Sequence, residues 1–217
     1  MPPLAKATFE PLEEVSQTVL EFFKQIRGLA VPAEAEAASA SFSEAPSGMR
    51  IEAIRDALQD TPPENIPQRV LILAALQVHF SMMAAQLNAA DLNPAGDGIC
   101  PVCGSPPLAS AVVGWPGAHG ARFCTCALCG TMWNAVRVKC VFCGSTEGIS
   151  YLSIEERPET LKAETCEKCG SYLKIFYQVK DHLLEPCADD IASLDLDMML
   201  TEAGWRRGGN NPFLLGY

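Results

Sequence analysis

CPVCGSPPLASAVVGWPGAHGARFCTCALCG (residues 100–130) and CVFCGSTEGISYLSIEERPETLKAETCEKCG (residues 140–170) carry one pattern twice. Each stretch opens and closes on Cys-x-x-Cys-Gly. In each, 22 residues separate the second cysteine of one pair from the first cysteine of the next. A shift of 40 residues lays Cys100, Cys103, Cys126 and Cys129 onto Cys140, Cys143, Cys166 and Cys169. Paired Cys-x-x-Cys motifs at about this separation mark four-thiolate metal modules, so the spacing predicts two of them in tandem.

The chemistry accounts for the pattern. Four thiolates surround a zinc ion at about 2.3 Å, and two residues between cysteines let one tight turn deliver two sulfurs. The glycine after each pair, Gly104, Gly130, Gly144 and Gly170, stands where the chain must reverse and a positive φ is needed. Turns of this kind aim backbone N–H groups at the sulfurs and stabilise the thiolate. The duplication favours sequential pairing, Cys100/Cys103/Cys126/Cys129 and Cys140/Cys143/Cys166/Cys169, because a duplicated unit first folded alone. A cross-braced arrangement would join the first pair to the third. All-sulfur tetrahedral sites hold zinc and also a single iron of the rubredoxin type; the expectation is two metal ions, zinc or iron.

Disulfides are the main competitor for ten cysteines in 217 residues. The start, MPPLAKATFEPLEEV, has no basic region followed by an apolar run, so no secretory signal is read and a cytoplasmic location is expected. Thiols there stay reduced, and Cys-x-x-Cys points to metal or redox work. A thioredoxin-like site would need one such pair in a βαβ setting, not four at regular intervals. Cys124 and Cys187 fall outside the scheme and read as ordinary thiols, although Cys124 is near enough to Cys126 to be a substitute ligand.

The formal charge is −10, with 13 acids against 6 bases in residues 1–99 and 13 against 10 in residues 100–217. Four-thiolate zinc sites add further negative charge. Nucleic acid rewards clustered lysine and arginine, so this balance disfavours it as a partner. Hydrophobic residues make up 48% of the chain, enough for a core.

The first hundred residues read as helical. PLEEVSQTVLEFFKQIRG sets Leu12, Val15, Val19, Phe22, Phe23 and Ile26 on one stripe and ends at Gly28. VPAEAEAASASFSEAPSG reads as a short helix or linker. Ser47 is expected to cap a helix from Met49 to Gln59 that Pro62 and Pro63 stop. Residues 70–90 lack formal charge and are long enough to cross a bilayer. Gln77, His79, Ser81, Gln86 and Asn88 interrupt them, so a central bundle helix is expected and no membrane span, with His79 a satisfied polar group in that core.

From Gly96 the texture changes to short strand-like segments at Leu108–Val113, Ala121–Thr125, Met132–Val138, Ile149–Ile154, Leu161–Thr165 and Tyr172–Val179. Trp133 takes the position of Leu173 in the other repeat, and both are read as packing around their ribbons. DDIASLDLDMMLTEAG offers Ile191, Leu194, Leu196, Met198, Met199 and Leu200 to one amphipathic helix ending at Gly204. In the tail, Trp205, Arg206, Arg207, Asn211, Pro212 and Phe213 suit either folding back over apolar surface or a partner interface. The expected fold is α+β. It comprises a helical bundle (1–96), two rubredoxin-like or zinc-ribbon modules (97–139 and 140–182), and a C-terminal amphipathic helix with its tail (183–217).

In combination, CPVCGSPPLASAVV, GARFCTCALCGTMWNAVRVKCVFCG, LKAETCEKCGSYLKIFYQVKDHLLEPCADDIASLDLDMML and NPFLL resemble the formate dehydrogenase accessory protein family, FdhE. The resemblance runs from Cys100 to Leu214; the helical region is shorter than is usual in the family. It implies a cytoplasmic, non-catalytic factor needed for active molybdenum-containing formate dehydrogenase, which contacts the catalytic subunit before export. It also implies rubredoxin-like sites whose ligands here are the eight knuckle cysteines.

No other motif points to an enzyme. There is no G-x-x-x-x-G-K or G-x-S-x-G, and His79, His119 and His182 have no paired spacing. A closed four-sulfur site leaves no position for substrate. An electron carrier using iron and a zinc-ribbon nucleic-acid module are the alternative readings. Nothing in the sequence points to an oligomeric state.

Overall fold

The stripe near the N-terminus folds as α1 (Glu13–Gln25), burying Val15, Val19 and Phe23. Leu12, expected on that stripe, is 65% exposed because it precedes the first turn. The Ala/Ser-rich stretch is a helix, α2 (Ala33–Glu44), whose Phe42 packs edge-on against Phe23 with ring centroids 5.1 Å apart. Third comes α3 (Ser47–Leu58), with Pro46 at its N-cap. Ser47 does not cap it: the hydroxyl is inside the helix and donates instead to the Glu13 carboxylate. The computed structural model describes residues 1–59, 61–62, 64–155 and 159–215. Pro63, expected to help stop α3, lies outside them.

The uncharged segment is α4 (Ile66–Ala84), opened by Asn65, whose side chain accepts from the Gln68 N–H at 3.0 Å. By length and composition alone it is able to cross a membrane. In this fold α1, α2 and α3 all pack on it, and Ile72, Leu73, Ala75, Leu76 and Phe80 are buried. It is therefore the central helix of the bundle. His79 is half-buried on its flank, edge-on to Phe9 with centroids 6.1 Å apart.

Residues 107–177 form one sheet from β1 (Pro107–Val112), β2 (Arg122–Cys126), β3 (Met132–Ala135), β4 (Ile149–Leu152), β5 (Leu161–Cys166) and β6 (Ser171–Tyr177). The order is β3-β2-β1-β6-β5-β4. Each repeat contributes an antiparallel three-stranded ribbon, and the two ribbons join through parallel pairing of β1 with β6, Ser110 opposite Ile175. The duplication survives in the register. Thr125 faces Met132 and Arg122 faces Ala135 in the first ribbon; Thr165 faces Tyr172 and Lys162 faces Ile175 in the second.

The expected single C-terminal helix is two, α5 (Pro186–Ile191) and α6 (Leu194–Glu202). A buried lysine explains the break. Lys174 Nζ donates to the carbonyls of Asp190 and Ser193, each at 2.9 Å. A cation is favoured where a helix leaves carbonyls unpaired, so α5 stops there. Only Leu196 and Leu200 of the proposed apolar stripe are buried, and Met198 is 65% exposed. The tail folds back: β7 (Arg206–Arg207) pairs parallel with β6, and Asn211 is buried.

Candidate metal centres

Each knuckle is a closed turn. The Gly104 N–H donates to the Cys100 carbonyl at 3.0 Å and the Cys100 N–H to the Ser105 carbonyl at 2.9 Å; Gly144, Cys140 and Ser145 repeat this at 3.0 and 2.8 Å. Gly104 and Gly144 have φ of +76° and +73°, a conformation in which a side chain would clash with the backbone. Backbone donors point at the sulfurs, with the Val102 N–H 3.4 Å from Cys100 Sγ and the Leu128 N–H 3.3 Å from Cys126 Sγ.

The turns gather the cysteines in sequential pairing. Cys100, Cys103, Cys126 and Cys129 form one cluster and Cys140, Cys143, Cys166 and Cys169 another, with all four sulfurs of each within 4.8 Å of one another. The cross-braced alternative is not formed. A tetrahedral ion bonded to sulfur at about 2.3 Å spaces its ligands about 3.8 Å apart. Cys100–Cys129 and Cys103–Cys126 are 3.6 and 3.3 Å apart, and Cys140–Cys169 and Cys143–Cys166 are 3.7 and 3.6 Å apart. Both clusters thus have the donor set and spacing to hold an ion, and two metal ions fit the chain. Thiols this crowded share protons unequally: hydrogen bonds from Cys100 and its neighbours push Cys103 down, while the same kind of contacts push Cys126 up.

Their surroundings differ. The first cluster is wholly buried and belongs to the same core as α1, α3 and α4. Gln77 Nε2 donates to the Ala127 carbonyl at 2.8 Å and Ser81 Oγ to the Cys129 carbonyl at 3.2 Å. The N–H groups of Leu4 and Lys6 reach the carbonyls of Val102 and Cys103, both at 2.8 Å. Two of the polar residues that interrupt the apolar helix therefore hold a knuckle. In the second cluster Cys143 is exposed and Cys169 half-exposed. Because β1 and β6 run parallel and each leaves its own knuckle, both clusters lie at the same end of the sheet.

Cys124 is not a substitute ligand. It lies opposite Trp133 in β2–β3, buried with Val141 and Leu173, and burial pushes its thiol up to about 11. Trp133 and Leu173, equivalent in the repeat, meet in that one cluster. Cys187 is likewise outside both centres, half-buried and pushed up to about 11. His119 and His182 join neither cluster.

Sequence reasoning missed the buried charges. Arg122 Nη1 meets Glu164 Oε2 at 2.9 Å across the ribbon seam, and Tyr151 also donates to Glu164. Lys174 ion-pairs with Asp190 and Asp197, and Arg207 closes the set by reaching both carboxylates. A lysine within the apolar run of β6 was the available signal, since a strand buried on both faces carries a charge only when it is paired.

Three family descriptions match end to end: "FdhE, N-terminal" over residues 1–97, "FdhE, central domain" over 99–137 and "FdhE, C-terminal domain" over 138–214. A protein of Rhizobium meliloti named "Protein FdhE homolog" is 40% identical over 220 residues, covering 100% of this chain and 72% of the relative. One of the same name from Edwardsiella ictaluri is 38% identical over 217 residues, covering 98% and 70%. The crystal structure of the FdhE protein from Pseudomonas aeruginosa superposes with a TM-score of 0.80 at 34% identity, over 100% of this chain and 76% of that one. With two four-cysteine centres on one sheet and these matches along its whole length, the chain belongs to the FdhE family.

Proposed function

We propose that this protein is a non-catalytic accessory factor for formate dehydrogenase, acting in the cytoplasm on the catalytic subunit during its maturation. The eight knuckle cysteines are the ligands of two resident metal ions, and the bound ions fix the knuckles. In this reading residues 1–96 are a helical unit, 97–139 and 140–182 the two ribbons, and 183–217 the tail that clasps them. The observation that carries it is the placement of two closed four-sulfur clusters at one end of a single sheet. Such sites have no open position for a substrate, but they hold a rigid surface for a partner to recognise.

Co-purification tests the reading. Tagged protein should retain the formate dehydrogenase catalytic subunit, its cofactor-free form above all. Failure to retain either form would remove the proposed role. Anaerobic preparations should contain two metal ions per chain.

The exposure of Cys143 favours one further reading, electron exchange through iron at the second centre. That requires a reddish oxidised form and a reversible redox couple. Colourless protein with zinc at both centres would dismiss it.

A further inference from the structure

The repeat leaves one sheet edge filled in the second ribbon and free in the first. In β6 that edge is taken by β1 at Ile175–Tyr177 and by β7 at Ser171–Tyr172, both running parallel. The N–H groups of Arg206 and Gly208 donate to the carbonyls of Gly170 and Tyr172 at 2.9 and 3.0 Å. Forty residues earlier the equivalent strand is β3, which among the described strands pairs with β2 alone. The Thr131 carbonyl accepts from the Cys126 N–H at 2.9 Å. By the alternation of an antiparallel ladder, Met132 and Asn134 then turn their N–H and C=O groups to the free edge; Val136, one residue past β3, corresponds to Phe176, which pairs with β1.

We propose that this free edge docks one extended, uncharged segment of a partner protein, which adds to the sheet parallel to β3. The inference deepens the accessory reading above and rests on it for the partner's identity. The edge opens onto a groove of about 730 Å³, bounded on its far side by the chain from Ala89 to Pro101. That wall stands in the way of a second copy, whose equivalent strand, β4, comes attached to β5. Asp97 and Lys139 are the charged residues of the groove, and they pair with each other at 3.0 Å. Their charges cancel, and Ile99, Trp133, Val136 and Val141 present apolar surface; Cys140, a ligand of the second centre, lines the groove only as a buried sulfur. Of the two segments that fill the equivalent edge, the longer, β1, reads PLASAV, six residues without a charge; the shorter, β7, is Arg206–Arg207, and its Arg207 is spent on Asp190 and Asp197. Strand addition draws affinity from main-chain hydrogen bonds and specificity from alternate side chains.

Residue-resolved amide exchange on the metal-loaded full chain, with and without the formate dehydrogenase catalytic subunit, tests this. Exchange at Met132, Asn134 and Val136 should slow by at least about tenfold on binding, with Trp133 and Ala135 little changed. Asn134→Pro removes an edge N–H that β2 does not use, a place where a strand tolerates proline; it also removes the side-chain donor to the Arg122 carbonyl, a loss that Asn134→Ala shares and that serves as its control. Val136→Lys is a milder change that sets a charge in the groove. Asn134→Pro and Val136→Lys should each weaken binding about tenfold, the scale of one or two lost hydrogen bonds, with metal content unchanged. Binding that leaves the three amides unprotected, or that both variants retain in full, overturns the docking site and spares the accessory role. Absence of binding sinks both. Protection of the same amides in concentrated protein alone, with dimer formation, would make the edge a contact between copies and also overturn the proposal.

Discussion

Arg122 and Glu164 sit on different ribbons and meet at 2.9 Å, with side chains only 1% and 3% exposed. Their path crosses the seam: Ser110 of β1 accepts from Arg122 Nε at 3.1 Å and itself donates to the Lys174 carbonyl of β6 at 3.4 Å. Among the described residues the seam is the one strand junction between the ribbons, so the pair fixes how one repeat lies on the other. Arg122 Nη2 is buried without a hydrogen-bond partner among the described residues.

Removing one member of this pair leaves an uncompensated buried charge, a loss on the order of 3–5 kcal/mol. Arg122→Met and Glu164→Leu should each lower the denaturation midpoint markedly. The double variant should be much closer to the parent, since an apolar replacement of a whole buried pair is often neutral. Additive losses in the double-mutant cycle would mean that the two side chains are uncoupled.

The metal centres should part company under a chelator. Ligand exchange needs access to a sulfur, and the first cluster is sealed under α4 while Cys143 is open to solvent. Release from metal-loaded protein should therefore be biphasic, with one ion leaving quickly and one slowly. Cys143→Ser should abolish the fast phase. Cys100→Ser should abolish the slow phase and also loosen the bundle, because those sulfurs share its core. A single phase involving both ions would show that the centres act as one unit.

Metal chemistry made the knuckles the most legible part of the chain. Four thiolates around one ion dictate both the x-x gap and the glycine, and a preserved 40-residue shift exposes the duplication. Val19, Phe23, Leu76 and Phe80 follow helical periodicity, so the bundle could be read as well. Long-range geometry was not legible. Nothing local in PLASAV says that it pairs with residues 65 positions later, or that the first cluster is buried and the second open. Lys174 illustrates the limit: its charge was visible, but its claim on the Asp190 and Ser193 carbonyls, which splits the C-terminal helix, depends on where β6 and α5 meet.

That lysine anchors a latch that is open to test. Asp190 is fully buried, and its carboxylate is reached by Lys174, Arg207 and Asn211 together. Asp190→Ala would leave Lys174 and Arg207 to share Asp197, one buried positive charge in excess, and should cost about 3–5 kcal/mol. Next to the latch, the tail passes so close to β1 that a methyl group on Gly209 would lie 2.6 Å from the Leu108 carbonyl oxygen. Gly209→Ala should then free the tail without touching a charge, read as faster proteolysis after residue 204. An unchanged digestion pattern would remove the tail from the account of stability.

Acidification should weaken the bundle through His79. Burial holds its imidazole below the ordinary 6.5, beside the rings of Phe9 and Phe80. A histidine depressed in this way binds fewer protons in the folded protein than in the unfolded chain. Its stabilising contribution is present above 6.5 and is lost as pH falls from there through the lower value it has in the fold. Thiolate protonation releases metal on acidification as well, so the informative quantity is the difference between parent and His79→Leu. Between about pH 7.5 and about pH 5.5 the parent should lose more of its melting temperature than the variant. Equal losses would show that His79 reaches solvent freely enough to titrate without disturbing α4.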